Sequence, residues 1–282
     1  MIKSKGILLQ MLKRFRVNIS FTALLVIAES LTTVLFPLFM GFAINGLLEK
    51  NFTGMYSLIG LGVTSLIIGS GRRFYDTRTY SKIYAVISPE LVEQEMDKGS
   101  SVSVITARTN LLTEFVEFLE DSMPQIINSF IGLFGTLFII FTLNKAVFIA
   151  CLITLTLTII VYLLSSNYTF KLNKGFNDEL EKQVKVIEAG NKPGIINHFK
   201  NVMRWNIRLS DLETINFSIV WLFMIALLSY SIITVLGSGV VLYGTIFSII
   251  MYVFEYISSV TYLPLYYQQL VRLKEISGRL KF

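Results

Sequence analysis

The stretch YDTRTYSKIYAVISPELVEQEMDKG, Tyr75–Gly99, decides the architecture. It follows an apolar segment that begins near Met55, with no Pro/Ser-rich linker between them. Ile83, Val86, Leu91 and Val92 recur at helical spacing, and Pro89 is expected to kink the helix. The charged residues between them belong in water. The pattern predicts one helix from Met55 to Lys98 that crosses a membrane and runs on beyond it. Such a helix would be about 66 Å long at 1.5 Å per residue. The hydrocarbon of a bilayer is only about 30 Å thick.

The pattern repeats. NLLTEFVEFLEDSM, Asn110–Met123, places Leu112, Phe115, Val116 and Leu119 on one face just before another apolar run. KLNKGFNDELEKQVKVIEAG, Lys171–Gly190, extends a third run in the same way, with Glu181 and Lys185 spaced to pair. Glycine-containing breaks, KGSSVS near Gly99 and AGNKPG near Gly190, turn each pair of extensions back.

The composition agrees with a membrane protein. Charged residues make up 16% of the 282 residues and hydrophobic ones 53%. Soluble domains carry about 25% charge. The spans read as 19–48 (broken by Pro37), 55–76, 123–143, 146–170, 214–237 and 242–270. The cytoplasmic extensions read as 77–122 and 171–213, and Gly237, Gly239 and Gly244 mark the turn before span six. Residues 1–18 form a basic amphipathic elbow expected to lie on the membrane surface, its stripe being Leu8, Met11, Leu12 and Phe15. The elbow and span one resemble a signal peptide in order. The apolar run is too long for one, so it reads as a retained helix.

Of the 25 Lys and Arg, only Lys50 and Lys145 fall in the short outer loops. The positive-inside rule then puts both termini in the cytoplasm, with the protein in the inner membrane. The formal charge of +6 reports topology, and no nucleic-acid partner is expected. One cysteine, Cys151, and one histidine, His198, exclude an intramolecular disulfide and argue against a zinc site. Cys151 reads as packing and His198 as an ordinary surface histidine.

Six spans, a basic elbow and two long hairpins resemble the transmembrane domain of the ABC exporter superfamily. MDKGSSVSVITAR, Met96–Arg108, is similar to the family's first intracellular turn, in which an arginine follows the glycine. Four positions after Arg108, where an acidic residue is common in the family, stands Leu112. GVVLYGTIFSIIMYVFEYISSVTYLPLYYQQLVRLKEISGRL, Gly239–Leu280, resembles its sixth helix. The resemblance implies an all-α, helix-swapped dimer, homo- or heteromeric, that encloses a cavity with alternating access. It also implies an ATPase after the last helix.

These residues hold no G-x-x-x-x-G-K-[ST] phosphate loop, and GSGRRF at Gly69 does not fit one. No cofactor is expected on the chain itself, with ATP reaching it only through a partner. The leading expectation is a transport subunit moving a small or amphipathic solute. Its ATPase would be a separate subunit docking on Gly99, Ser100 and Ser101 and on Asn191, Lys192, Pro193 and Gly194. The alternatives are a proton-coupled transporter of the same fold and a non-transporting scaffold or receptor.

Proton coupling would rest on Glu29 and Glu255, the two acidic residues well inside predicted spans. An ionised acid there costs about 2.5–3.5 kcal/mol. Tyr252, Glu255, Tyr256, Ser259, Tyr262 and Tyr266 share one helical face; Tyr252, Tyr256, Ser259 and Tyr262 are expected to line a cavity, while interfacial anchoring suits Tyr266 and Tyr267 near the helix end. Arg72, Arg73 and Asp76 stand at the inner end of span two, where they read as basic anchors snorkelling at the interface or as lining of the cavity. Arg72 is spaced to pair with Asp76, and one of the two arginines is a candidate partner for Glu29 or for an anionic solute group. Thr154, Thr158 and Asn128 are expected to make interhelical hydrogen bonds, and the glycines of IGLFGTLF to allow close helix packing.

Overall fold

A computed structural model describes residues 7–237, 239 and 242–279. The first six residues of the elbow, positions 238, 240 and 241 of the glycine turn, and residues 280–282 of the tail lie outside the described residues. The described chain is helical: α1 (Ile7–Arg14), α2 (Arg16–Leu48), α3 (Thr53–Asp97), α4 (Val102–Glu117), α5 (Met123–Leu143), α6 (Lys145–Glu181), α7 (Gln183–Glu188), α8 (Lys192–Gly237) and α9 (Tyr243–Arg279). A π-helical turn, Phe118–Ser122, joins α4 to α5 without a break. Six of the resulting helical segments are long and apolar enough to cross a membrane. The chain is an all-helical integral membrane protein.

The helices gather into two compact units, residues 1–145 with 235–282, and residues 146–234. In the first, α3 is one helix of 45 residues. Pro89 lies inside it, and the helix continues on both sides. Its far half packs on α4 through Ile83, Ile87 and Leu91 against Leu112, Phe115 and Val116, all buried. Ile83 and Leu91 belong to the apolar spacing of the opening stretch, Ile87 does not, and Val86 packs against the cluster only partly buried; burying these residues holds α3 and α4 together. The elbow departs from expectation. Met11 and Phe15 turn into this core, with Met11 fully buried, and Arg14 pairs with Glu90 of α3 at 2.7 Å. Protein takes much of the face assigned to lipid, because the projecting helices offer an apolar surface at that level.

Pro37 also leaves α2 continuous rather than broken. A proline takes one donor out of the helical ladder. Beside it, Ser248 of α9 donates to the Pro37 carbonyl at 2.7 Å, and Tyr252 donates to the Val34 carbonyl at 2.8 Å. The backbone amide of Gly244 donates to Asn45 Oδ1 at 2.7 Å. A methyl group on Gly244 would strike the backbone oxygen of Gly41, so only glycine lets α9 come this close to α2. On α5, a Cβ at Gly135 would fall 2.9 Å from Val34 Cγ1, which accords with the packing role read from IGLFGTLF.

The second unit is built on α6, α7 and α8. Asn216 of α8 donates to Ser165 Oγ of α6 at 2.9 Å. Gly175 makes room for the Trp205 ring, which a Cβ there would meet at 2.7 Å. His198 is not a surface residue: it is 3% exposed, with Nδ1 3.2 Å from Glu179 Oε1. Lys182 reaches the other oxygen of Glu179 at 2.8 Å. Thr158 bonds back to its own helix, at the Thr154 carbonyl, because a threonine hydroxyl finds its nearest acceptor one turn earlier.

Candidate functional site

Glu29 sits about two-fifths of the way along α2, within a largely apolar span. A carboxylate there requires a partner. The partner is Arg72 of α3, whose Nε bonds Glu29 Oε2. Arg72 also gives an Nη1–H to Asp76 Oδ2 at 2.8 Å, one turn further along α3. Gly69, one turn before Arg72, provides the clearance: a Cβ there would lie 2.9 Å from Glu29 Oε1. One guanidinium thus holds two carboxylates, and its planar fork suits that task.

These groups form one side of a polar cavity of about 440 Å³ inside the first unit. Ser30 and Thr33 of α2 join Glu29, and Arg73 and Thr77 of α3 join Arg72 and Asp76. The far side is the π-helical turn and the start of α5, with Glu120, Asp121, Gln125 and Asn128. Inserting one residue into a turn of helix re-aims the side chains around it, and such turns recur at functional sites. Burial raises the Glu120 carboxyl above the ordinary range; a hydrogen bond from Thr77 opposes this, and the charges of Asp121, Asp76 and Glu117 add to it. No group of residues among those described is arranged to hold a metal ion.

Arg73 lines the same cavity, so the sequence candidates Glu29, Arg72, Arg73 and Asp76 come together. The α9 stripe does not join them. Tyr252 and Tyr256 are fully buried and Ser259 is 9% exposed, and none of the three lines this cavity. Tyr252 instead spends its hydroxyl on the α2 backbone beside Pro37. Glu255 and Tyr262 stay exposed on α9, and Tyr262 packs against Tyr266. Glu120 and Asp121 are the charged cavity residues that sequence reading passed over, and Ser30, Thr33, Thr77 and Gln125 are polar ones. The two acids looked like part of a solvated extension, and nothing in a linear pattern marks a π-helical turn.

The turns between α3 and α4 and between α7 and α8 are built differently. Gly99 takes a left-handed conformation, φ 71°, between α3 and α4. Beneath it Glu95 is 1% exposed and accepts from three donors: Lys98 Nζ at 2.8 Å, Ser100 Oγ at 2.9 Å and Arg108. Glu95 therefore supplies the acid for Arg108 that the sequence lacks at Leu112. The Lys98 hydrogen bond comes first among the causes that hold the Glu95 carboxyl below its ordinary range, followed, against the opposing burial, by those from Ser100 and Arg108. The second turn passes through Gly190, φ 62°, and Asn191, whose carbonyl accepts from Ile195 N at 2.9 Å. Lys192, Pro193 and Gly194 then open α8.

Six membrane helices, long paired extensions and this first turn agree with a family profile described as the ABC transporter transmembrane region, which matches residues 8–244. The chain belongs to that family. The match covers well over half of the sequence and includes every cavity residue. A comparison with curated proteins returns no match. Membership makes the chain a membrane transport subunit, of a family whose transmembrane regions generally act as dimers with an ATPase partner.

Proposed function

We propose that the chain moves a small or amphipathic solute across the inner membrane, using ATP hydrolysed by a partner subunit. In this reading both termini and both turns are cytoplasmic, and two such membrane subunits, alike or related, enclose the pathway. The observation that carries it is the cavity between α2, α3 and the α4–α5 junction. A polar chamber of that size at the inner end of apolar spans suits a solute in transit. The first turn supports coupling to a partner: a buried carboxylate gripping three donors keeps Gly99–Ser101 in one shape, as a docking surface needs. Residues 146–234 form a unit of their own, as an exchanged hairpin would.

Affinity purification in mild detergent tests the reading. The expected result is an ATPase subunit in stoichiometric amount, lost when Gly99 and Asn191 are replaced by bulky residues. Purification of the chain with no ATPase and no ATP-dependent transport would overturn it.

One observation favours a second reading, coupling to protons. Glu255 remains on the exposed face of α9 within a span, where a protonated carboxyl is cheaper than an ionised one. Glu29, the other candidate, is already engaged by Arg72. Replacing both with Gln separates the readings: ATP-driven transport survives the change and proton-driven transport does not.

A further inference from the structure

Away from the cavity, one face of α8 presents apolar and cationic side chains together. Ile196, Phe199, Met203 and Ile207 follow one another at three- and four-residue steps, each 45–58% exposed. Lys200, Arg204 and Arg208 run one residue behind them, also exposed, and the two rows line a shallow groove. The other side of the helix is already used. His198 and Val202 are buried, and the Trp205 ring fills the room that Gly175 leaves on α6. Lipid does not account for the exposed face. The apolar run begins at Thr214, so Met203 and Phe199 lie about 17 and 23 Å before it along the helix. A headgroup layer is only about 5–8 Å deep on each side of the hydrocarbon. An apolar ridge beyond that depth, edged with cations, suits a protein surface that carries acids.

The chain supplies such a surface itself. Glu114 and Glu117 stand one turn apart on α4, and Asp121 follows on the π-helical turn. Arg272 already takes Glu114, at 3.2 Å. Glu117 and Asp121 are exposed. Glu117 precedes Met123, the start of span three, by six residues, and Arg208 precedes Thr214 by the same six. Both helices approach the membrane from the same side in the reading above. The two charges therefore stand at one depth, about 9 Å short of the apolar runs.

We propose that the α8 groove docks on the α4 and π-helical-turn surface of a second, identical copy of the chain, with Arg208 and Arg204 meeting Glu117 and Asp121 of the partner subunit. In a two-fold dimer the contact forms twice, so one kind of chain completes both halves. The apolar row supplies the buried area and the charges set the register. The inference rests on the two-subunit reading above. It adds that the subunits are alike and which surfaces join them.

The test is disulfide trapping of the full chain in native membranes, with the buried Cys151 replaced by Ala. One chain carries Glu117→Cys, a co-expressed one Arg208→Cys. Oxidation should yield a covalent dimer from the mixture and little from either chain alone. Glu49→Cys, at the far end of α2, should not cross-link to Arg208→Cys. Charge reversal keeps the contact itself under test. Arg204→Glu with Arg208→Glu should weaken dimerisation in detergent about tenfold or more, the scale of unpairing interface charges. Adding Glu117→Arg and Asp121→Arg to the same chain should restore it. A disulfide formed only within a single chain carrying both cysteines would overturn the proposal. So would a dimer indifferent to the reversal, failure of the second reversal to rescue, or a differing membrane subunit in place of the second copy. Dimerisation needs no energy source. If ATP-driven transport proceeds while dimerisation ignores these charges, only this contact falls. If the charge-dependent dimer forms but no ATPase accompanies it, only the coupling falls.

Discussion

Arg72 is the residue on which the cavity's order depends. It is 15% exposed at the side chain and joins Glu29 and Asp76, which are 23% and 4% exposed. Removing the shared cation strands two carboxylates, whereas removing Glu29 leaves the Asp76 pair intact. Arg72→Ala should therefore destabilise the protein by about 3 kcal/mol, the scale for breaking a buried pair. Glu29→Gln should do clearly less. Thermal unfolding in detergent reads both, and equal losses would show that the three groups do not act through Arg72. Tyr252 makes a second case. Tyr252→Phe should cost about 1 kcal/mol through the lost bond to Val34 and leave solute binding unchanged. A changed solute profile with unchanged stability would return Tyr252 to the transport pathway. The pairing of Arg72 with Asp76 was legible from four-residue spacing. Its reach to Glu29, 43 residues away, was one option among several, because the clearance over Gly69 is a fact of three dimensions.

At the scale of elements, the α3–α4 hairpin reads well from sequence because its apolar spacing is the cause of its packing. The clamp under its turn was half legible. Arg108 stood out, but its acid, Glu95, lies 13 residues earlier, before the turn that brings them together. The clamp predicts a pH dependence. The folded carboxyl of Glu95 is held below its ordinary range, so its stabilisation is present at neutral pH. It is lost as pH falls below the ordinary carboxylate range and through the depressed value. Glu95→Gln should mimic the acid state at pH 7 and speed amide exchange in Gly99–Val102, with a loss on the order of 1 kcal/mol because Lys98 and Arg108 reach the buried carboxylate from partly exposed positions. Unchanged exchange there would mean that backbone geometry alone holds the turn. Where α2 and α5 touch, Gly135→Val should cost about 1–3 kcal/mol by crowding Val34. The α9 stripe shows the limit of periodicity: it marks which residues share a face, and a buried hydroxyl on the α2 carbonyls and a cavity wall have the same period.

For the whole molecule, hydropathy and helix length carried the fold, since a bilayer leaves a long apolar helix few alternatives. Energy source and solute are properties of an assembly, and they turn on where charge sits once helices pack. The most direct measurement is solute movement in sealed proteoliposomes holding the chain with its co-purifying partner, with ATP or a pH gradient supplied one at a time. Labelled small solutes that are cationic, anionic and neutral serve as cargo, so the readout does not presuppose the solute's charge. Movement that needs ATP, ignores the pH gradient and survives the joint replacement of Glu29 and Glu255 by Gln is the predicted result. Movement driven by the pH gradient without ATP, and abolished by that replacement, would contradict an ATP-powered subunit.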